Sequence, residues 1–420
     1  MFNFFGKKKE QKLYKVKVKN TNKDIRFYPI YNNDAINIVH DACTVCVAGE
    51  KERNTLKERA SFISGKIKLG HESILEHSNY IMMVEYRAGE DGEKDFAEIS
   101  NCFKYLNVLT KSDEEVFVIL IGGSARGFKH LIRTIENPNN SLYCTIIEYI
   151  KAYIPSCFFA DLIEDDIFAP NDFFDLYLDG DEITSGEDDG YIYYPCKDYR
   201  KDIDWDSSYA KILNLDDIRH VFRKCALYFT YYELMDFVTV NTIFVNVSRS
   251  CSHQIVRHRN GITQLSQRYV NMENAINYLP TSLKELDNWD EIEPVVNHTI
   301  DTAFSTYGDM IKAGVKREDA RYILPNSCAT TLYMTFTFRN LIKACELRMD
   351  KHAQLEIREL FTDLKDQLQN EAHIDELDEN ITFFDYVLPR YKFEEVLCAN
   401  DKYDLDIDFK NVKELSLIHI

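Results

Sequence analysis

No apolar run in this 420-residue chain approaches the ~20 residues that a membrane-crossing helix needs. No secretory signal pattern opens it either; Met1 to Lys9 is too short for a span, and residues 1–12 read as a flexible leader. Both absences lead to the expectation of a cytoplasmic protein without a membrane partner. Positive charge is scarce as well: 50 Lys and Arg stand against 69 Asp and Glu, a net charge of -19. Phosphate-backbone affinity needs a basic footprint, so nucleic acid is not an expected partner, although a local pocket for one nucleotide is not excluded. The eleven cysteines are odd in number and lack framework spacing, which implies a reducing compartment and free, mostly buried thiols.

Three familiar motifs fail on spacing. His71 and His77 are six residues apart, whereas two metal histidines on one helix face need an i,i+4 separation. Cys43-Thr44-Val45-Cys46 has no second pair, so zinc is not expected and core packing explains it better. Gly122-Gly123-Ser124-Ala125-Arg126-Gly127 follows the apolar run Val116–Ile121 but matches neither GxGxxG nor a GK[ST] ending, and reads as a tight strand-to-helix turn. No metal site is expected.

What the chain does contain is a concentrated basic run. Arg257-His258-Arg259 is followed by Thr263-Gln264-Leu265-Ser266-Gln267-Arg268-Tyr269. In a strongly acidic protein, such residues suit phosphate oxygens plus a hydrogen-bonded heterocycle, since the planar arginine fork meets phosphate two bonds at a time. Upstream, Thr242 to Val247 reads as a strand, and Ser248 can cap a helix through Cys251, Ile255 and Val256. The run then lies at a helix end, where the dipole favours cations even without a ligand, so a solvated basic turn stays open.

The alternating stretch Leu13 to Lys19 predicts a half-buried strand, Asn33–Ala48 and residues 55–69 predict helices, and Asn79–Glu85 predicts an apolar strand. From 88 to 236 the texture changes; Ala152 to Cys196 has twelve acidic residues and no lysine or arginine. That reads as an inserted acidic, aromatic subdomain, peripheral to a core made of 13–87 and 237–375, with a weakly patterned tail over 376–420. Asn340 to Gln369 shows unbroken helical periodicity. Arg348 interrupts its apolar stripe, either snorkelling or held by a buried anionic partner. Arg321 likewise interrupts an apolar run ahead of Tyr322-Ile323-Leu324-Pro325.

In this order, the blocks His71-Glu72-Ser73…Glu76-His77, Ser252 to Arg259 with Ser266-Gln267-Arg268-Tyr269, Glu318 to Pro325, and Leu347-Arg348 with His352 to Arg358 resemble the flavin-dependent thymidylate synthases. The resemblance implies an α+β fold: a mixed α/β core with a central sheet flanked by helices, here with an inserted peripheral subdomain. It also implies reductive methylation of dUMP to dTMP with FAD as cofactor and NADPH and methylenetetrahydrofolate as co-substrates, in a homotetramer whose active sites are shared between subunits. By motif position, Gln254, Arg257, Gln264, Leu265, Ser266, Gln267, Arg268, Arg321 and Arg348 would hold dUMP. Arg348 would be catalytic, facing the uracil N3–O4 edge. Ser73, Arg257, His258, Arg259, Gln264, Thr337, Arg339 and Lys343 would contact FAD.

The chain departs from the family pattern at three places. Six residues rather than the usual seven separate Arg259 from Ser266, Gln264 stands where many members have glutamate, and Thr337 and Lys343 stand where asparagine or histidine is common. A non-catalytic regulatory protein that keeps the nucleotide pocket is the alternative of a different class.

Overall fold

The computed structural model describes residues 14–17, 24–31, 35–47, 52–169, 203–215, 225, 228–258 and 261–371. Arg259, the leader, most of the acidic stretch and the expected tail lie outside them.

Two antiparallel sheets form the frame. The first contains β1 (Tyr14–Lys17), β2 (Asp24–Tyr31), β3 (Asn79–Arg87), β4 (Asn107–Ser112) and β5 (Val116–Ser124), in the order β1-β2-β3-β5-β4. The second contains β6 (Tyr209–Leu215), β7 (Thr239–Ser248), β8 (Gly261–Gln264) and β9 (Ala329–Thr337), in the order β6-β7-β9-β8. Among the described residues, the helices of seven residues or more are α1 (Ala35–Val47), α2 (Leu56–Lys68), α3 (Gly92–Ile99), α4 (Ala125–Thr134), α5 (Ser141–Tyr153), α6 (Arg249–Ile255), α7 (Trp289–Lys312), α8 (Phe338–Arg348) and α9 (Leu355–Glu371). The fold is α+β, with sheets flanked by helices, as expected.

Strand alternation assigns each face of the first sheet to its own core. Ile81, Met83, Val118 and Leu120 point into a cluster with Phe244, Leu332, Phe336, Ile342 and Leu364 from the second sheet, α8 and α9. Their neighbours Met82, Val84, Ile119 and Ile121 point the other way, into a cluster with residues of α1, α2, α4 and α5. Helix α1 is a wedge between the sheets: Ala35, Val39 and Cys43 join this second cluster, while Ile38, Ala42 and Val45 pack on Ile243, Val245 and Tyr333. Helix α2 starts with a reciprocal cap, in which Thr55 Oγ1 accepts from Glu58 N and Glu58 Oε2 accepts from Thr55 N.

Two expectations are corrected. The long helix over 340–369 is two helices, α8 and α9, separated at 349–354. Asp350 accepts from the His352 backbone N–H at 2.8 Å and offers the chain a local turn in place of the helical ladder. The apolar periodicity persists across the break because both helices pack on the same cluster. The segment expected as a peripheral insertion from residue 88 contributes, in its described part, β4, β5, α4 and α5. Strand β5 is hydrogen-bonded between β3 and β4, well inside the sheet. The change in texture at 88 marks exposed surface on α3 and on β4, an edge strand, rather than the limit of the core.

Replacing Leu120 by alanine therefore removes a fully buried side chain at the meeting of the two sheets. The expected cost is about 3 kcal/mol of unfolding free energy, read from urea denaturation. A loss below about 1 kcal/mol would return β5 to the periphery.

Candidate functional site

The site grows from the C-terminal end of β7. Ser248 Oγ accepts from Cys251 N at 3.0 Å and caps α6, as its position in the sequence suggests. The same hydroxyl donates to Glu356 Oε2 at 2.6 Å, and Ser248 N donates to Glu356 Oε1 at 2.7 Å. Glu356 is buried, and burial raises its pKa against the opposing pull of these bonds. The carboxylate thus ties α9 to the start of α6, which carries Gln254 and leads through the turn Val256–His258 to the basic run.

Arg348, the last residue of α8, donates from Nε to His258 Nε2 at 2.9 Å and from Nη2 to the Gln254 carbonyl at 3.1 Å. Arginine has only donors, so His258 Nε2 accepts and the ring is the neutral Nδ1–H tautomer. Burial and the adjacent Arg348 push the His258 pKa down to about 4. Burial and Arg257 likewise lower that of Arg348. Neither alternative for Arg348 holds in full. It is partly buried rather than snorkelling free, yet it pairs with no carboxylate among the described residues. Arg257 is exposed and has no hydrogen-bonding partner among them.

Strand β8 carries the second half of the basic signature. Gln264 Nε2 donates to Ser252 Oγ and to Thr330 Oγ1, each at 3.2 Å. Leu265 N donates to Thr331 O and Ser266 N to Cys46 O, so the chain leaves the strand along β9 and reaches α1. Gln267 is buried against Cys328, whereas Arg268 is exposed and pairs with Glu318 at 3.4 Å. Arg321 donates to the Glu318 carbonyl at 3.2 Å. These contacts join the expected dUMP residues other than Arg257 into one neighbourhood. Arg249, which the sequence reading missed, belongs to it: Arg249 Nη1 reaches Thr330 Oγ1 at 3.5 Å, and its pKa is lowered by burial and by neighbouring Arg321. Its only sequence signal was a place on the same short helix as Gln254.

The expected flavin residues are scattered by comparison. Thr337 caps α8 and lines a cleft of about 710 Å³. Arg339 is buried and donates to Asp236 at 2.8 Å, so its own charge is compensated. Ser73 and Lys343 are exposed and do not line this cleft. The cleft opens where β5 and β9 end and where β3, β4, β7 and β8 begin, and the turn Glu72–His77 forms one wall.

That turn is held from two sides. Within the core, Thr335 Oγ1 donates to Asn241 Oδ1 and so must accept from His77 Nδ1 at 2.9 Å; His77 Nε2 then accepts from Thr263 Oγ1 at 2.8 Å. Burial pushes the His77 pKa down to about 3, keeping the ring neutral. Gly261 permits the close approach, since a Cβ there would lie 2.8 Å from the Glu76 carbonyl oxygen. Outside, fully buried Lys129 bonds Glu72 at 2.8 Å and also Asp161, while Arg133 bonds the same two carboxylates. Arg126 pairs with Glu76. All three bases come from α4, in the segment expected to be peripheral. Asp161 belongs to the acidic stretch and has a structural partner there.

Among the described residues, no three His, Cys, Asp or Glu side chains converge as a metal site, and no helix is long and apolar enough to cross a membrane.

Residues 198–372 match the family described as thymidylate synthase complementing protein. The chain is 34% identical over 160 residues to a flavin-dependent thymidylate synthase of Pyrococcus furiosus, covering 36% of this chain and 63% of the relative. With the enzyme of that name from Pyrococcus abyssi it shares 32% over 164 residues, covering 37% and 65%. With that from Sulfurisphaera tokodaii it shares 27% over 203 residues, covering 48% and 74%. The match thus spans just under two thirds of the Pyrococcus proteins.

The clamp on the turn has a pH signature. Burial raises the Glu72 pKa, but hydrogen bonds from Arg133 and Lys129 outweigh it and hold the group at about 2, below its ordinary 4.5. A depressed carboxylate stabilises the fold above its unfolded pKa, and that contribution fades as pH falls from about 4.5 toward about 2. After discounting for solvent screening, about 1–2 kcal/mol is expected to be lost over this window in the native protein and not in Glu72→Gln. Parallel stability curves for the two proteins would show that the clamp carries no such energy.

Proposed function

We propose that this chain, whose residues 198–372 match the family described as thymidylate synthase complementing protein, is a flavin-dependent thymidylate synthase. It converts dUMP to dTMP, taking carbon from methylenetetrahydrofolate and reducing equivalents from NADPH through FAD. The observation that carries this reading is an excess of cations around the β8 signature. Arg348 lies beside Arg257 and Arg249 beside Arg321, in partly buried surroundings where like charges oppose one another. Neither Arg348 nor Arg249 is compensated by a carboxylate among the described residues. A dianionic phosphate and an ionised uracil ring supply the missing counter-charge.

In this reading Arg268, Arg321 and Ser266 hold the phosphate, with Gln254, Gln264, Leu265 and Gln267 shaping the nucleotide pocket. Arg348 directs its planar fork at the uracil N3–O4 edge and favours the ionised ring. His258, kept neutral, accepts from Arg348 and fixes that fork in place. Bound and reduced FAD would supply the hydride, which the ionised ring accepts at C6. The cleft beside Thr337 and the exposed Arg257 cation on the turn Val256–His258 suit a large anionic cofactor; Arg339 supports it by fixing Asp236 on the cleft wall. Arg259 joins this cofactor set by motif position alone. Ser73, Arg257 and Lys343 are exposed, which suits active sites shared between the subunits of a homotetramer. No cysteine serves as nucleophile: Cys251 is buried and its thiol pKa is raised well above the ordinary range by burial, so it is not a thiolate at neutral pH.

The test is dTMP formation by the purified chain with dUMP, methylenetetrahydrofolate, NADPH and FAD, together with a flavin band bleached by NADPH. Binding of dUMP without flavin reduction or dTMP would favour the regulatory alternative. Arg348→Lys is expected to lower turnover about a hundredfold with little change in melting temperature, the scale of losing an oriented donor. Near-normal turnover would remove Arg348 from the chemistry. Cys251→Ala should keep turnover within about threefold, with a packing cost of about 1 kcal/mol; a folded, flavin-loaded but inactive variant would overturn the cysteine-free scheme.

A further inference from the structure

We propose that the cleft wall supplied by α4 and Tyr105 binds the pyrophosphate–adenosine portion of a dinucleotide cofactor, with Arg126 and His130 facing the phosphates and Tyr105 the base. The proposal rests on the reading of the chain as a flavin-dependent synthase and assigns a binding role to a segment outside residues 198–372.

Helix α4 carries Arg126, His130 and Arg133 at i, i+4 and i+7, hence on one face, and all three line the cleft. Their commitments differ. Arg133 is taken up by Glu72 and Asp161. Arg126 gives one guanidinium N–H to Glu76 and stays 47% exposed, which leaves further donors for a phosphate oxygen. The acidic groups on the wall are compensated: Glu72 by Lys129 and Arg133, Glu76 by Arg126, and Asp236 by Arg339. An anion entering the cleft therefore meets balanced charge and spare donors rather than naked carboxylates.

Tyr105 supplies the aromatic surface. It is 58% exposed, and its ring stands edge-on to His130 with centroids 4.5 Å apart. Two glycines hold it there: a Cβ at Gly127 would lie 2.5 Å from the Tyr105 carbonyl oxygen, and one at Gly123 would lie 2.8 Å from Leu106. The Gly122–Gly127 turn, which matches no phosphate-binding fingerprint, thus presses an aromatic loop against a basic helix face. Stacking of a base on such a ring is sequence-tolerant and strong enough to matter, at about 1–3 kcal/mol. The cleft is of a size usual for cofactor sites, and Thr337 joins this wall to the expected flavin residues.

FAD and NADPH share the pyrophosphate–adenosine group, and riboflavin lacks it. The full chain, Arg126→Ala and Tyr105→Ala are titrated with each of the three. Retained dUMP affinity shows that the variants are folded. For FAD the dissociation constant is expected to rise tenfold or more in both variants, with riboflavin unchanged within about twofold. The same loss confined to NADPH would also support the site and make the reductant its occupant. Unchanged affinity for both dinucleotides, or an equal loss for riboflavin, would overturn it. A native chain that binds FAD and forms dTMP while both variants bind as it does sinks this proposal alone. A native chain that binds neither dinucleotide sinks the synthase reading with it.

Discussion

One buried histidine joins the two sheets. His77 ends the turn that leads into β3, yet its ring bonds Thr263 on β8 and Thr335 on β9, and Thr335 passes the chain to Asn241 on β7. In this low-dielectric setting each link is strong, and an orphaned partner costs about 1–3 kcal/mol. The geometry leaves one proton arrangement: Thr335 donates to the asparagine, so the histidine donates through Nδ1 and accepts through Nε2. The turn, the cleft beside it and the strand carrying Gln264 are all positioned through this relay.

Around the relay, charge is distributed in two different ways. Behind the turn, Lys129, Arg133, Glu72 and Asp161 form a closed set in which each group has opposite partners. Such a set is structural, and breaking one member would strand a buried charge. At the end of α8 Arg348 lies beside Arg257, and at the start of α6 Arg249 lies beside Arg321; neither Arg348 nor Arg249 pairs with a carboxylate among the described residues, and burial sharpens the conflict. The acidity of the whole molecule makes that local surplus a property of the site.

Much of the frame was legible because it is encoded locally. Ser248 ahead of an apolar-periodic helix, the apolar run of β3, and the strand-to-helix turn at Gly122–Gly127 each specify themselves within a few residues. The break between α8 and α9 was not legible, because a continuous apolar stripe serves two helices on one cluster as well as it serves one. Lys129 was missed for a related reason: a lysine on a helix reads as surface unless its carboxylates, 57 residues upstream and 32 downstream, are known to arrive. The residues proposed to hold the nucleotide stood out through their order and chemistry. Thr337 and Arg339 carry less information in sequence, since one acts as a helix cap and the other as a partner to Asp236.

The relay also constrains the order in which the molecule can mature. His77 and Thr335 are separated by 258 positions, and His77 and Thr263 by 186. During synthesis the turn emerges long before either threonine, so its imidazole stays hydrated until β8 and β9 have left the ribosome. Contacts of such range close late and slow the search for the native state. The neighbourhood proposed for the nucleotide is therefore among the last parts of the molecule to form, and a nascent chain truncated before Thr335 lacks the relay that positions it.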